Sequence, residues 1–225
     1  MSTRPKPRAS EKTLAVDTVS RTPQQGRSKA SFERMLVAAE KLMLERGSEE
    51  FTLQDVSQTG AVSIGSIYLR FKSKENLVRA VIANHLERMA ADEDAMMVAV
   101  KAKATSLDTF MPRYVQAFAG VLRDHAPLLR LSMQRASFDP LVSEPGKQSA
   151  NRAAAMGIAA MLEYREAFGG EDHELKANAA YQIIFATLAR QLSLGSTAES
   201  AYAHDWEQLN TELGRMCLAY LKADA

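Results

Sequence analysis

The chain has 225 residues, 46% of them hydrophobic and 24% charged, with 28 Lys and Arg against 27 Asp and Glu. That is an ordinary globular composition, enough to bury a large core in one domain or in a small domain fused to a larger one. It excludes a membrane span, since no apolar run approaches the ~18 residues of a bilayer helix. The basic start MSTRPKPRAS has no apolar stretch of the kind a signal peptide needs, and the lone Cys217 excludes an intrachain disulfide, so a reducing cytoplasm is expected. Cys217 lies in the run Met216-Cys217-Leu218, where packing is its ordinary use.

Charge is unevenly spread. Residues 1–80 hold 14 Lys and Arg against 9 Asp and Glu, and residues 81–225 hold 14 against 18. A basic first third suits a protein that offers one end to a polyanion, although a basic tail alone gives the same skew. Residues 1–26, with Pro5, Pro7 and Pro23 among Lys, Arg, Ser and Thr, have no apolar periodicity and read as a disordered basic arm. Arg27, at the edge of the arm, is placed to reach a phosphate or a minor groove, or simply to be solvated.

From Ser28 to Arg46, Phe32, Leu36, Ala39 and Met43 recur at helical spacing, and Gly47 closes the helix as a C′ residue. Thr52 with Asp55 opens a short second helix as a capping box, with Leu53 and Val56 as its small apolar stripe. Gln58-Thr59-Gly60-Ala61 breaks it, and Gly60 is the residue best suited to the positive φ of such a turn. Ser63 caps a third short helix that turns Ile67 and Phe71 inward and leaves Ser63, Ser66, Tyr68 and Arg70 facing elsewhere. Two short helices across a tight turn are the layout of a helix-turn-helix, whose second helix enters the major groove.

Ser73 then caps a long helix bearing Leu77, Val81, Ala83 and Leu86, uninterrupted to about Lys103. Its length ties the small unit mechanically to whatever follows. A helix from Thr105 or Ser106 carries Leu107, Phe110, Met111, Tyr114, Phe118 and Leu122, with Pro112 expected to end or kink it. Pro127 is expected to start another. Residues 138–146 read as a loop, followed by helices from about Lys147 to Tyr164, 172–194 and 205–221. The count is nine or ten helices and no strands.

Val62 to Glu75, VSIGSIYLRFKSKE, resembles the DNA-binding signature of the TetR/AcrR transcriptional regulators: small residue, Gly, hydroxyl, aliphatic, Tyr, Phe and Ser-Lys-Glu fall in register. The resemblance covers roughly residues 27 to 85. The family usually has Gly where this chain has Ala61, with Gly60 one place early, and Ile64 is apolar where a polar residue is common. The resemblance implies an all-α protein: a three-helix DNA-binding domain at 27–73, then a larger ligand-binding and dimerisation domain at 74–225, with 74–103 as connecting helix. It implies binding to double-stranded operator DNA as a homodimer. Release by a small apolar or amphipathic inducer would make the protein a repressor. An activator, a regulator answering to no ligand, and a protein-binding helical scaffold are the alternatives.

By reach and donor type, Thr52, Ser63, Ser66, Tyr68, Arg70, Lys72 and Lys74 are the candidate phosphate or base contacts, with Arg27 from the arm. Gly65 allows close backbone approach, and Ile64 can touch only a thymine methyl. The middle helices supply Phe110, Met111, Tyr114, Phe118, His125, Met133, Met156, Met161 and Tyr164 as candidate ligand contacts, though the same spacing serves a plain core. Tyr181, Ile184, Phe185, Leu188, Leu209, Leu213 and Tyr220 on the last two helices are the candidate dimer surface, with core burial the competing use. Four scattered histidines, with no metal-binding, phosphate-loop or nucleophile motif, point to no enzyme, no metal and no cofactor.

Overall fold

A computed structural model describes residues 26–194 and 205–224. These form eight α-helices: α1 Gly26–Arg46, α2 Leu53–Thr59, α3 Ile64–Arg70, α4 Lys74–Lys103, α5 Leu107–Ala136, α6 Pro140–Leu162, α7 His173–Gln191 and α8 Trp206–Lys222. A 3-10 turn at Arg165–Ala167 precedes α7, and there is no strand among the described residues. The fold is all-α, as expected. The basic arm lies outside the described residues apart from Gly26, as do residues 195–204. None of the described helices is long and apolar enough to cross a membrane.

Side-chain caps set the starts of most helices. Thr52 accepts from the Asp55 amide and Asp55 accepts from the Thr52 amide, a complete capping box. That amide holds the Asp55 carboxyl below the usual carboxylate range. Ser63, Ser73, Ser106, Asp139, Asp172 and Asp205 cap α3 to α8 in turn.

The prolines behave differently from expectation. Pro112 and Pro127 both lie inside one continuous 30-residue α5, and Pro145 lies inside α6, which begins at Pro140 in what had read as a loop. A mid-helix proline costs roughly 3 kcal/mol, because one hydrogen bond is lost and the ring crowds a carbonyl. Each fully buried apolar side chain returns about 1.5–3 kcal/mol. Helix α5 buries Phe110, Met111, Tyr114, Val115, Phe118, Leu122, Leu128 and Leu131. Tertiary packing therefore holds it together, and among the described residues the helices number eight.

The chain has two apolar cores. One joins α1 to α3 through Met35, Leu36, Met43, Phe51, Val56, Ile67 and Phe71, and takes Leu77, Val78, Val81 and Ile82 from α4. It also takes Leu128 and Leu131 from the end of α5 and Val142 from the start of α6. Three short helices bury too little apolar area to stand alone, and the α5–α6 corner supplies what α4 does not. The other core joins α4 to α8 around Phe110, Tyr114, Phe118, Met161, Tyr181, Ile184, Leu213 and Cys217. Burial pushes the Cys217 thiol up to about 11, which keeps it unreactive.

Candidate nucleic-acid interface and interior cavity

Helix α3 is held against α1 and α2 by Ile67 and Phe71, both fully buried. The turn before it differs from the expected one. Gly60 is right-handed at φ −89°, and Ala61 takes the left-handed conformation at φ +47°. A Cβ at Gly60 would lie 3.0 Å from the Arg34 carbonyl oxygen and 3.1 Å from that of Val56, so this glycine lets α1 and α2 approach. The Ser57 hydroxyl donates to the Val62 carbonyl at 2.6 Å and closes the turn.

What α3 leaves outside is a compact polar and aromatic edge. Ser63 Oγ accepts from the Ser66 amide at 3.1 Å and lies 2.7 Å from Ser66 Oγ. Gly65 is exposed and a Cβ there would meet nothing within 4 Å. Tyr68 is 61% exposed, and Lys72 is exposed beside it. Thr52 is exposed with its hydroxyl committed to the cap.

Three of the anticipated contacts are placed differently. Arg70 is buried, its guanidinium 6.0 Å from the Phe32 ring, so it packs α3 on α1 and does not stand outside. Lys74 is half-buried; its ammonium donates to the Glu49 carbonyl at 2.9 Å and lies 5.5 Å from the Phe51 ring. Ile64 is half-buried against the first core. Arg27 lies in α1, and its side chain is outside the described residues. Leu69, next to Tyr68, is 60% exposed and adds an apolar side chain to the expected set. The pattern held the clue: with Ile67 and Phe71 inward, positions 68, 69 and 72 must face out.

A cavity of about 300 Å³ opens between α4, α5, α6 and α7. Its walls are Ile82, Leu86, Met89, Phe118, Leu122, Leu129, Met133, Tyr181 and Phe185. Its space comes from α6, which turns Ser143, Gly146, Ser149, Ala150 and Ala153 toward it. Those residues recur at three and four, so one face of α6 is too small to fill the gap. Of the anticipated ligand contacts, Phe118 and Met133 line this cavity. Phe110, Met111, Tyr114 and Met161 are sealed in the second core, while Met156 and Tyr164 are partly buried against it. His125 belongs to another contact, 2.9 Å from Asp92 with its ring 5.0 Å from that of His85. The bulky residues of the middle helices fill the core, and the small ones on α6 mark the cavity.

Among the described residues, one acid lines the cavity. Glu93 is 1% exposed and burial pushes its carboxyl up to about 7, against the opposing pull of Arg152. That Arg152 contact is long, 3.5 Å, because the guanidinium makes closer bonds, 2.8 Å each, to the Ala90 carbonyl and Asp94.

The anticipated dimer residues divide. Tyr181, Ile184, Leu188 and Leu213 are buried within the protomer and serve its core, and Phe185 lines the cavity. Leu209 is half-buried, and Tyr220 is 39% exposed. The apolar side chains that α7 and α8 turn outward are Leu175, Ile183, Met216 and Tyr220. Among the described residues no group of three His, Cys, Asp or Glu is placed to hold a metal.

Residues 35–81 match the family model described as bacterial regulatory proteins, tetR family. A TetR transcription regulator from Haloarcula marismortui ATCC 43049 superposes with a TM-score of 0.64 at 14% identity, covering 86% of this chain and 98% of that one. The fatty acid degradation regulator FadR from Bacillus halodurans gives 0.62 at 19% identity, covering 87% and 97%. The ketosteroid transcriptional regulator KstR2 of Mycobacterium tuberculosis gives 0.55 at 18% identity, covering 88% and 97%. At these identities the likeness is one of fold. No curated protein matches the chain.

Proposed function

We propose, from the match of residues 35–81 to the tetR family of bacterial regulatory proteins, a homodimeric repressor of that family released from operator DNA by a small apolar or amphipathic molecule. In this reading residues 27–73 bind DNA and residues 74–225 bind the ligand and the second copy, with residues 74–103 as the helix that connects the two domains. The observation that carries the DNA-binding half is the outward edge at α3: Ser63 at its N-cap, Gly65, Tyr68 and Leu69 are exposed, with Ser66 half-buried beside them and Lys72 exposed just past its end, while Ile67 and Phe71 lock the other face. Hydroxyls and a lysine supply phosphate contacts, and Leu69 offers a methyl contact to thymine. One short helix reads few base pairs, so two copies spaced by one turn of duplex, roughly 34–36 Å, are the natural solution.

The ligand half rests on where the cavity lies. Ser132, Met133, Ala136, Val142 and Ser143 line it at the α5–α6 corner, and Val142 belongs equally to the core of the DNA-binding unit. An occupant that shifts this corner shifts α1 to α4 with it. Differential binding to the two arrangements, roughly 1–3 kcal/mol, is the scale needed to loosen operator binding. The test is gel-shift on the DNA flanking the gene, with Tyr68→Ala and Lys72→Ala beside the parent across a salt series. Affinity that falls steeply with salt and drops in the variants supports the reading. Binding that ignores both salt and the substitutions overturns it.

A further inference from the structure

The cavity also indicates which ligands it prefers, provided the ligand-responsive reading above holds. We infer that its occupant is a lipophilic cation, an apolar body carrying one ammonium-like group that docks on Glu93. The walls at Phe118, Leu122 and Tyr181 are apolar or aromatic, and Glu93 is the acid set among them. Glu93 is 1% exposed, so bulk solvent barely reaches it. Its protein partner answers it only in part and at long range. Arg152 sits 3.5 Å away and gives its closer bonds, at 2.8 Å, to Ala90 and Asp94. A buried carboxylate left under-paired in an apolar wall is costly alone and favourable once a cation completes the pair. The cavity's other charged residue, Lys147, is exposed and so already hydrated, which makes it a weak magnet for an anion.

The groups facing Glu93 are Arg152 and Asp94, with the Tyr114 and Tyr181 rings alongside. Near neutral pH its carboxyl is shared between protonated and ionised forms, so a bound cation expels the proton. Binding therefore releases protons to the buffer, which a hydrophobic fit alone does not do.

The experiment uses three probes of one length, decylammonium, decanol and decanoate, on the full-length protein and on Glu93→Gln. Thermal shift reads binding, calorimetry in two buffers of different ionisation heat reads proton release, and gel-shift reads release from DNA. Expected is tightest binding of decylammonium, with proton release at pH 7. Its affinity should fall tenfold or more in Glu93→Gln, while decanol binding is unchanged. Decanol or decanoate binding as tightly as the cation, with Glu93→Gln indifferent, overturns the cation assignment and leaves a ligand-responsive regulator standing. No binding of any probe by a protein that still shifts DNA overturns the assignment and the ligand half together. Loss of DNA binding by the parent protein strikes the functional reading itself.

Discussion

Arg135 Nη1 lies 2.7 Å from Glu49 Oε2, joining the end of α5 to the loop that precedes α2 across 86 positions of sequence. The same arginine holds Asp139, the N-cap of α6, through Nε at 2.7 Å, and Asp139 also accepts from Arg79 of α4 at 2.8 Å. Burial alone would raise the Asp139 carboxyl, yet these two guanidiniums hold it below the usual range. One cluster of charges thus ties the corner beside the cavity to both the connecting helix and the helix-turn-helix.

Cutting that tie tests whether the cavity talks to the DNA-binding edge. In Glu49→Gln the neutral amide still accepts a hydrogen bond but loses the charge, and the expected cost is about 0.5–1.5 kcal/mol in urea unfolding. Arg135→Ala, which strips a buried capped carboxylate of one partner, is expected to cost roughly 1.5–3 kcal/mol. Both variants should bind DNA while responding less to any ligand that releases the parent. Gel-shift titration with and without the ligand measures this, and an undiminished response would assign the coupling to apolar packing at Val142 alone.

The turn between α2 and α3 gives an opposite-signed pair. Ala61 sits in the left-handed region at φ +47°, where a Cβ costs about 1–2 kcal/mol and glycine costs nothing, less the entropy glycine adds to the unfolded chain. Ala61→Gly is therefore expected to stabilise by about 0.5–1 kcal/mol. Gly60→Ala puts a methyl 3.0–3.1 Å from two backbone oxygens and should destabilise by about 1–3 kcal/mol. Chemical denaturation of the two variants beside the parent decides it; equal stabilities would mean the turn relaxes freely.

These residues show what could be read from the sequence and what could not. Caps are local, so the Thr52–Asp55 box and the start of α4 at Lys74 stand where the residue types predict. Gly60 has a local explanation, backbone freedom, but serves a non-local purpose, the approach of Arg34 and Ala38 on α1. Pro112 and Pro127 carry a local stop signal that burial on both sides of α5 outweighs. Arg70 reads as a surface charge because its stem and its Phe32 partner, 38 positions away, are invisible until α1 and α3 meet. Periodicity finds the apolar stripe on α7, yet Ile184 and Ile183 differ only in which way one turn points, and only packing separates core from surface.

The DNA-facing edge makes a sharper prediction than loss of binding. Tyr68 and Lys72 are exposed, so Tyr68→Phe and Lys72→Ala should leave the melting temperature within about 1–2 °C, since surface changes stay within about ±0.5 kcal/mol. Lys72→Ala should weaken binding to all sequences alike and reduce the salt slope by about 1 per protomer. Arg70→Ala should do the reverse, costing fold stability through lost packing on Phe32. If Arg70→Ala keeps full stability and loses one unit of salt slope, its guanidinium works outside.

Two buried groups set opposing pH dependences. Burial, aided by His125 and Arg88, lowers His85 from 6.5 to about 4, so the unfolded chain takes up a proton that the folded chain refuses. Stability from this source falls as pH drops from 6.5 to 4. Burial raises Glu93 from 4.5 to about 7, so the unfolded chain gives up a proton that the folded chain keeps, and stability falls as pH rises from 4.5 to 7. Either effect in full is roughly 3 kcal/mol at 1.36 kcal/mol per unit. The advantage of Glu93→Gln over the parent should therefore widen between pH 4.5 and 7, and that of His85→Leu between pH 6.5 and 4. Urea midpoints at one-unit steps test both; parallel curves would show these groups solvated in the folded state.

The last prediction concerns the face through which two copies would meet. On α7, Leu175 and Ile183 stand eight residues apart, 62% and 45% exposed; on α8, Met216 and Tyr220 stand four apart, 63% and 39% exposed. Those spacings put each pair on one side of its helix; on α7 the far side, Ile184 with Leu188, is sealed into the protomer, while on α8 the buried Leu213 and Cys217 flank the exposed pair. A two-fold axis brings the same patch to itself, so one charge introduced there appears twice at close range. Ile183→Glu and Met216→Glu should each give a folded monomer by analytical ultracentrifugation, with native helicity and operator affinity reduced at least tenfold. Leu188→Glu should instead unfold the chain, because it buries a carboxylate with no partner. Dimers persisting in both exposed-face variants would move the interface away from α7 and α8.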